Sequence, residues 1–271
     1  MAEFPIYIGW DEAEEEAWAV GSQSLLEHSS IPLTISRIGE ETKGFGRLWT
    51  WEGKQRFDDV TGDEFSTGFS FARFMVPLVT KEPWALCMDC DFLFLGDVAE
   101  LVKLADSRFA VMVVKHAHKP REETKMEGLV QTRYERKNWS SLVLWNCQHP
   151  SNRFLTQEDV NGKPGWWLHG FRWLKDEEIG ELPLEWNYLV GFYPEYPKAL
   201  HYTLGGPWFE SQKKGPFAQE WLEARKRLTD GRKWKCGCIF DKVTGQRSTF
   251  CQKHVDRFLP GETFTFGDLF D

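Results

Sequence analysis

Trp84-Ala-Leu-Cys-Met-Asp-Cys-Asp-Phe-Leu-Phe-Leu-Gly-Asp97 is the stretch on which the fold turns. Residues 84–88 form an apolar run of strand length that ends in Asp89-Cys90-Asp91. A second apolar run, Phe92 to Leu95, follows before Gly96-Asp97 opens a turn and a helix. Two aspartates one residue apart at the end of a buried strand carry a large desolvation cost unless something compensates them. A divalent cation would do so: carboxylate oxygens, waters and substrate phosphates suit Mg²⁺ or Mn²⁺, and the carboxyl ends of strands are where α/β sheets place ligands. The structural alternative is that Asp91 caps a turn while Asp89 pairs with a nearby arginine such as Arg73.

Working outward, Pro5-Ile-Tyr-Ile-Gly9 reads as a short buried strand, followed by an Ala- and Glu-rich helix ending in Ser22-Gln-Ser-Leu-Leu-Glu27. A second strand is expected over Leu33 to Ile38, then a loop rich in Gly and charge up to Asp63. A helix from Ser70 through Leu78 carries Phe71, Phe74, Met75 and Leu78. Further strands are expected at Phe109 to Val114 and Ser141 to Trp145, so the pattern is α/β. With 271 residues, 41% of them hydrophobic and 14 tryptophans, the chain has ample core, and its mean hydropathy of -0.47 with no long uncharged apolar run excludes a membrane span. The opening Met-Ala-Glu-Phe-Pro lacks a secretory pattern, which gives the expectation of a cytoplasmic protein whose six cysteines are reduced thiols or metal ligands.

The net charge of -8 is unevenly spread: residues 213–257 carry 12 Lys or Arg against 5 Asp or Glu. An acidic body spanning 1–212 and a basic C-terminal segment spanning 213–271 are therefore expected, divided at the breaker-rich Gln212-Lys-Lys-Gly-Pro216. Phe217, Trp221, Leu222 and Leu228 follow with roughly helical spacing. Beyond them, Cys236-Gly-Cys238 and Cys251-Gln-Lys-His254 are separated by 12 residues. Three thiolates and an imidazole at this spacing read as a closed structural Zn²⁺ site, a staple for a segment with few apolar residues; the basic surplus suits a polyanion or a solvated face.

The Asp89-Cys90-Asp91 segment resembles the D-x-D strand of nucleotide-sugar-dependent glycosyltransferases of the GT-A fold, and is most similar to glycosyltransferase family 8, the glycogenin and lipopolysaccharide galactosyltransferase group. Four further segments agree in order. Phe71-Ala-Arg-Phe74 resembles a Y-A-R-L helix whose arginine, here Arg73, reaches the donor. Asn138-Trp-Ser-Ser-Leu-Val-Leu-Trp-Asn146 resembles an F-N-x-G-x-x-x-x-N strand, and Leu182-Pro-Leu-Glu-Trp-Asn187 an L-P-x-x-x-N element. Ala199-Leu-His-Tyr-Thr-Leu-Gly-Gly-Pro-Trp208 resembles the closing H-F-x-G-x-x-K-P-W motif. The resemblance spans about residues 4 to 209 and implies a mixed, mostly parallel sheet flanked by helices. It implies Asp89, Asp91 and His201 as ligands of Mn²⁺ or Mg²⁺, and Asp11, Asn138 and Ser140 as contacts to the donor; a helix N-cap is the alternative for Asp11, and closure of a strand end for the other two.

Two departures stand out. Gly206 occupies the place of the lysine that binds the diphosphate, which leaves the backbone N–H groups of Gly205 and Gly206, or another cation, to hold phosphate. The acceptor-side D-Q element has no match; Trp166 to Ile179 stands there instead, with His169, Asp176 and Glu177 as candidates for acceptor positioning. Trp139, Trp166, Trp167, Trp173, Trp186 and Trp208 suit sugar faces or core. The expected function is metal-dependent transfer of a sugar from a nucleotide-sugar donor, a UDP-sugar, with retention of configuration. The acceptor is open: a glycan, lipid-linked sugar, protein or nucleic acid. A sugar nucleotidyltransferase is the second reading, although Gly9-Trp-Asp-Glu12 lacks its Gly-rich loop. The third is a non-catalytic protein binding sugar or nucleic acid on a degenerate transferase fold.

Overall fold

The computed structural model describes residues 3–117, 124–125, 129–130, 135–193 and 196–229. Cys236, Cys238, Cys251 and His254, the expected zinc ligands, lie outside the described residues. In chain order the elements are β1 (Phe4–Gly9), α1 (Glu15–Glu27), β2 (Leu33–Ile38), β3 (Trp49–Glu52), β4 (Gln55–Asp58), β5 (Glu64–Phe65), α2 (Val76–Val79), β6 (Trp84–Met88) and β7 (Phe92–Phe94). They continue as α3 (Val98–Val102), β8 (Val111–Val113), β9 (Thr124–Lys125), β10 (Leu129–Val130), β11 (Leu142–Asn146), α4 (Gln157–Gly162), α5 (Gly165–His169), β12 (Ile179–Glu181), β13 (Tyr188–Leu189), β14 (Ala199–His201) and α6 (Ala218–Thr229).

The central sheet runs β12-β8-β11-β6-β1-β2. Its pairings are parallel except where β11 lies antiparallel to β8 and β6. The inner strands β1, β6, β8 and β11 are almost wholly apolar because both faces are covered, while the edge strands β2 and β12 carry Thr34, Ser36, Arg37 and Glu181. Ile6, Ile8, Leu86, Met88, Leu142 and Leu144 enter one core cluster, and Tyr7, Ala85, Cys87, Val143 and Trp145 enter the other. That partition is the two-residue alternation of a strand acting on residues that are all buried. The first face is closed by α1, which is buried from Ala17 to Leu25, and by a small sheet in the order β13-β14-β7.

Two expectations need correction. The glycine- and charge-rich stretch before Asp63 is a three-stranded antiparallel sheet, β3-β4-β5, and not a loop. Trp49-Thr-Trp51 favours extended backbone, and Gly53 takes the positive φ (62°) of a tight hairpin turn. The sheet is fastened by a buried fork: Arg47 donates from Nε to Asp58 Oδ1 at 2.8 Å and from Nη2 to Oδ2 at 2.5 Å, and from Nη1 to the carbonyls of Val160 and Lys163 at 3.0 and 2.7 Å. The division at residue 212 also fails to detach α6 from the body, since Trp221, Ala224 and Leu228 are buried in the same cluster as Trp18 and Ala19 of α1. Arg227 adds an ion pair to Glu27 at 3.0 Å. Among the described residues, no helix is long and apolar enough to cross a membrane.

Candidate active site

β1 and β6 are parallel neighbours, and the chain leaves β1 towards β2 on one side while β6 lies on the other. The carboxyl ends of two such strands frame the crevice in which open α/β sheets bind ligands. Here that crevice is a cleft of about 230 Å³, walled by the ends of β6 and β5, the Lys137–Ser141 turn and α5.

Asp89 follows β6 directly, and its N–H extends the β6–β11 ladder to the Ser141 carbonyl at 2.9 Å. Asp91, two residues on, faces the same cleft, while Cys90 between them is fully buried in the core. Burial, with the Glu14 carboxylate beside it, holds the Cys90 thiol well above its ordinary pKa. It therefore stays neutral and donates to Glu14 Oε2 at 3.4 Å, which makes it a packing residue and not a nucleophile.

His201 arrives from 110 residues beyond Asp91 by strand pairing. β14 lies antiparallel to β7 with His201 opposite Phe92, and the Tyr202 N–H donates to the Asp91 carbonyl at 3.0 Å. The ring stacks on Phe92 at 4.4 Å. Its tautomer follows from a buried network. Asn187 donates from Nδ2 to the Asn138 carbonyl at 3.2 Å and to Ser141 Oγ at 2.9 Å, so its Oδ1 is turned to His201 Nδ1, 2.9 Å away. A ring nitrogen facing a carbonyl oxygen donates, so the neutral ring would turn Nε2 to the cleft as its ligand atom. Nε2 lies 3.4 Å from Asp91 Oδ2. With Asp89, the three residues offer ligand atoms that all lie within 4.8 Å of one another. Two carboxylates and a neutral imidazole whose other nitrogen is anchored fit a divalent ion such as Mn²⁺.

Arg73 lines the same cleft and makes the pairing with Asp89 that was one part of the structural alternative: Nη1 meets Asp89 Oδ1 at 2.5 Å and the Ser140 carbonyl at 2.9 Å, and Nε donates to the Ser70 carbonyl at 3.0 Å. Asn138 and Ser140 also line the cleft, with Ser140 Oγ hydrogen-bonded to His169 Nδ1 at 2.7 Å. His169 is thus at the site, whereas Asp176 pairs with Arg136 at 2.6 Å with its side chain 84% exposed, and neither it nor Glu177 lines the cleft. Of the six singled-out tryptophans, Trp166 reaches the cleft and is 55% exposed at its rim, while Trp186 is core.

Asp11 and the glycine pair do not join this site. Asp11 caps the turn after β1, accepting from the Ala13 N–H at 3.0 Å, and its other oxygen takes the Gly68 N–H at 2.7 Å and Arg56 Nη2 at 2.8 Å. Both oxygens are committed to structure, as the capping alternative foresaw. Gly205 spends its N–H on the Tyr202 carbonyl at 2.7 Å, and both Gly205 and Gly206 line a separate hollow. At Gly206 the Trp208 ring packs so closely that an added Cβ would lie 2.1 Å from it, so this glycine serves packing. Sequence reasoning missed four residues here. Asn187 and Ser141, although inside quoted motifs, act on His201 through contacts invisible in one dimension; Glu14 and Lys137 line the cleft from segments whose local sequence carries no distinguishing signal.

This cleft at a strand-end crevice, on a mixed and mostly parallel sheet, defines the fold as that of the GT-A glycosyltransferases. The bifunctional glycosyltransferase WbbM superposes with a TM-score of 0.57 at 16% identity, covering 83% of this chain and 50% of its own. GlyE of Streptococcus pneumoniae in its apo form gives 0.56 at 18% identity, covering 83% and 60%. The galactosyltransferase LgtC, in complex with donor and acceptor sugar analogs, gives 0.52 at 11% identity, covering 83% and 96%. The chain thus spans about half to three fifths of WbbM and GlyE. No family model matches the sequence. The chain belongs to the family of Protein CDI of Arabidopsis thaliana, to which it is 45% identical over 228 residues, covering 81% of this chain and 85% of that protein.

Proposed function

We propose that the protein is a metal-dependent glycosyltransferase that moves a sugar from a UDP-sugar to an acceptor hydroxyl with retention of configuration, in the manner of family 8. The observation that carries the reading is the convergence of Asp89 and Asp91, from the β6–β7 connection, with His201 of β14 on one point of a cleft. Bound there, Mn²⁺ or Mg²⁺ would supply Lewis-acid charge to the leaving diphosphate. In the transfer, the bond from the anomeric carbon to the β-phosphate oxygen breaks, its electron pair leaves with UDP, and the acceptor oxygen takes the carbon as its proton passes to solvent. This chain's part is to fix the ligand geometry: Arg73 holds Asp89, Asn187 holds the His201 tautomer, and the Phe92 ring fixes the imidazole plane. Asn138 and Ser140, which line the cleft, would meet the donor sugar. The acceptor class is a glycan, lipid-linked sugar, protein or nucleic acid.

Thermal unfolding with UDP, GDP, TDP and CMP, each with and without Mn²⁺, tests the reading on wild type and Asp89→Ala. A ligand at 100 times its Kd adds about 2.7 kcal/mol, a shift of several degrees. UDP is expected to shift the transition only with both Mn²⁺ and Asp89; no shift with any nucleotide removes the reading. We also propose that Cys236, Cys238, Cys251 and His254 hold a structural Zn²⁺ in the C-terminal segment, where metal analysis is expected to find about one equivalent; none would overturn it.

A further inference from the structure

A diphosphate in the cleft calls for basic side chains, and few are found among the described residues: the acids Glu14, Asp63, Glu64, Asp89 and Asp91 line it with Arg73 and Lys137. Arg73 is fixed: Nη1 is held by Asp89 and the Ser140 carbonyl and Nε by the Ser70 carbonyl. A planar guanidinium pinned at these points has little freedom to follow a leaving group. The Gly205-Gly206 turn, the other place where phosphate would be sought, spends the Gly205 N–H internally and lines a different hollow.

Lys137 lines the same cleft from the turn before Ser140. It is 9% exposed, a degree of burial rare for lysine, and it sits between two non-glycine residues in the left-handed region, Arg136 (φ 61°) and Asn138 (φ 65°). Each costs on the order of 1 kcal/mol or more and persists only where the surroundings enforce it, an arrangement that clusters at functional sites. Both are enforced here. Arg136 is held by the Gly170 carbonyl at 2.7 Å and by Asp176. The Asn138 carbonyl is held by Ser141 Oγ at 2.7 Å and by Asn187 Nδ2, and that same Asn187 orients His201. The strained turn presenting Lys137 is thus bolted to the frame that sets the metal ligand.

We infer that Lys137 is a cation that binds the donor's diphosphate beside the Asp89–Asp91–His201 centre, a role that rests on the transferase reading. An ammonium carries three donors on a flexible stem, so it can take phosphate oxygens in addition to protein partners and follow them as charge builds on the β-phosphate. It transfers no proton; its contribution is charge.

Calorimetric titration of the full chain in Mn²⁺ with UDP, UMP and inorganic pyrophosphate tests this on wild type, Lys137→Ala and Lys137→Arg. Lys137→Ala is expected to weaken UDP and pyrophosphate about 10- to 100-fold, as for loss of a charged hydrogen bond, with UMP less affected, Mn²⁺ alone unchanged, and partial recovery in Lys137→Arg. Equal UDP affinity in wild type and Lys137→Ala overturns the role of Lys137 and leaves the transferase reading standing. Loss of Mn²⁺ binding in both variants also overturns it, since the turn would then be only structural. Pyrophosphate binding that needs Lys137, with UDP binding no tighter than pyrophosphate, keeps the inference and breaks the nucleotide reading.

Discussion

The ends of β1 and β6 are adjacent, parallel and both followed by aspartate, yet they do different work. At β1, Asp11 has both oxygens occupied by the Ala13 and Gly68 amides and by Arg56. At β6, Asp89 and Asp91 converge with His201. A carboxylate at the carboxyl end of a strand is thus not a ligand by position alone. What separates the two is that donors meet both oxygens of Asp11, whereas at β6 two carboxylates and an imidazole converge beside the single guanidinium of Arg73.

The sharpest test of this contrast is Asp11→Ala. It removes a cap and strips Arg56, whose side chain is 9% exposed, of its partner, so stability should fall by about 3–5 kcal/mol in urea unfolding, with Mn²⁺ affinity of the folded protein unchanged. A variant that stays stable but loses Mn²⁺·UDP binding would return Asp11 to the donor role implied by the resemblance. Asp91→Asn should do the opposite. Turnover is expected to drop by about 10²–10³, or about 2.7–4 kcal/mol, while the unfolding midpoint holds; a fall in midpoint with activity intact would make Asp91 structural.

Asn187→Ala should lower Mn²⁺ affinity by about 10- to 100-fold by freeing the imidazole tautomer. Asn187→Asp, which keeps an acceptor for Nδ1, should recover most of it. Equal losses in both variants would show that packing, and not the hydrogen bond, is what Asn187 supplies.

The smallest effect concerns Asp58, the buried anchor of β3-β4-β5. Burial pushes its carboxyl up, but the hydrogen bonds from Arg47 and Thr61 outweigh that and hold it below its ordinary 3.8. A depressed folded-state pKa contributes stability in full above the ordinary value and loses it as pH falls through the lowered one. Urea midpoints of wild type should therefore decline below pH 4 more steeply than those of Asp58→Asn; parallel declines would detach the pair from acid sensitivity.

Much of this site is legible in one dimension. The apolar run ending in Asp89-Cys90-Asp91 announces both strand and charge, and the Leu-His-Tyr segment at 200–202 resembles a ligand motif well enough to name His201. Arg73 was legible as a pair with two candidate roles, of which the structure fills the partnership with Asp89. The hairpin at 49–58 was hidden by its charge and glycine, although Trp49-Thr-Trp51 and Gly53 carried its signal. Lys137 was hidden altogether, because nothing in Arg136-Lys137-Asn138 distinguishes a surface cation from a buried one.

The sequence by itself determined most strands of the central sheet, at 5–9, 33–38, 84–88, 109–114 and 141–145, and the placing of acids where β6 ends. These follow from apolar spacing and from the cost of burying charge, which are local quantities. Only the tertiary structure decided which acids keep their charge for a ligand and which histidine nitrogen turns to meet them. Those choices depend on β14 pairing with β7, on Gly68 and Arg56 reaching Asp11, and on Asn187 reaching across to Asn138 and Ser141. Each is a contact between residues far apart in the chain, and a hydrogen bond is assigned by what lies within about 3 Å, whatever its distance in sequence.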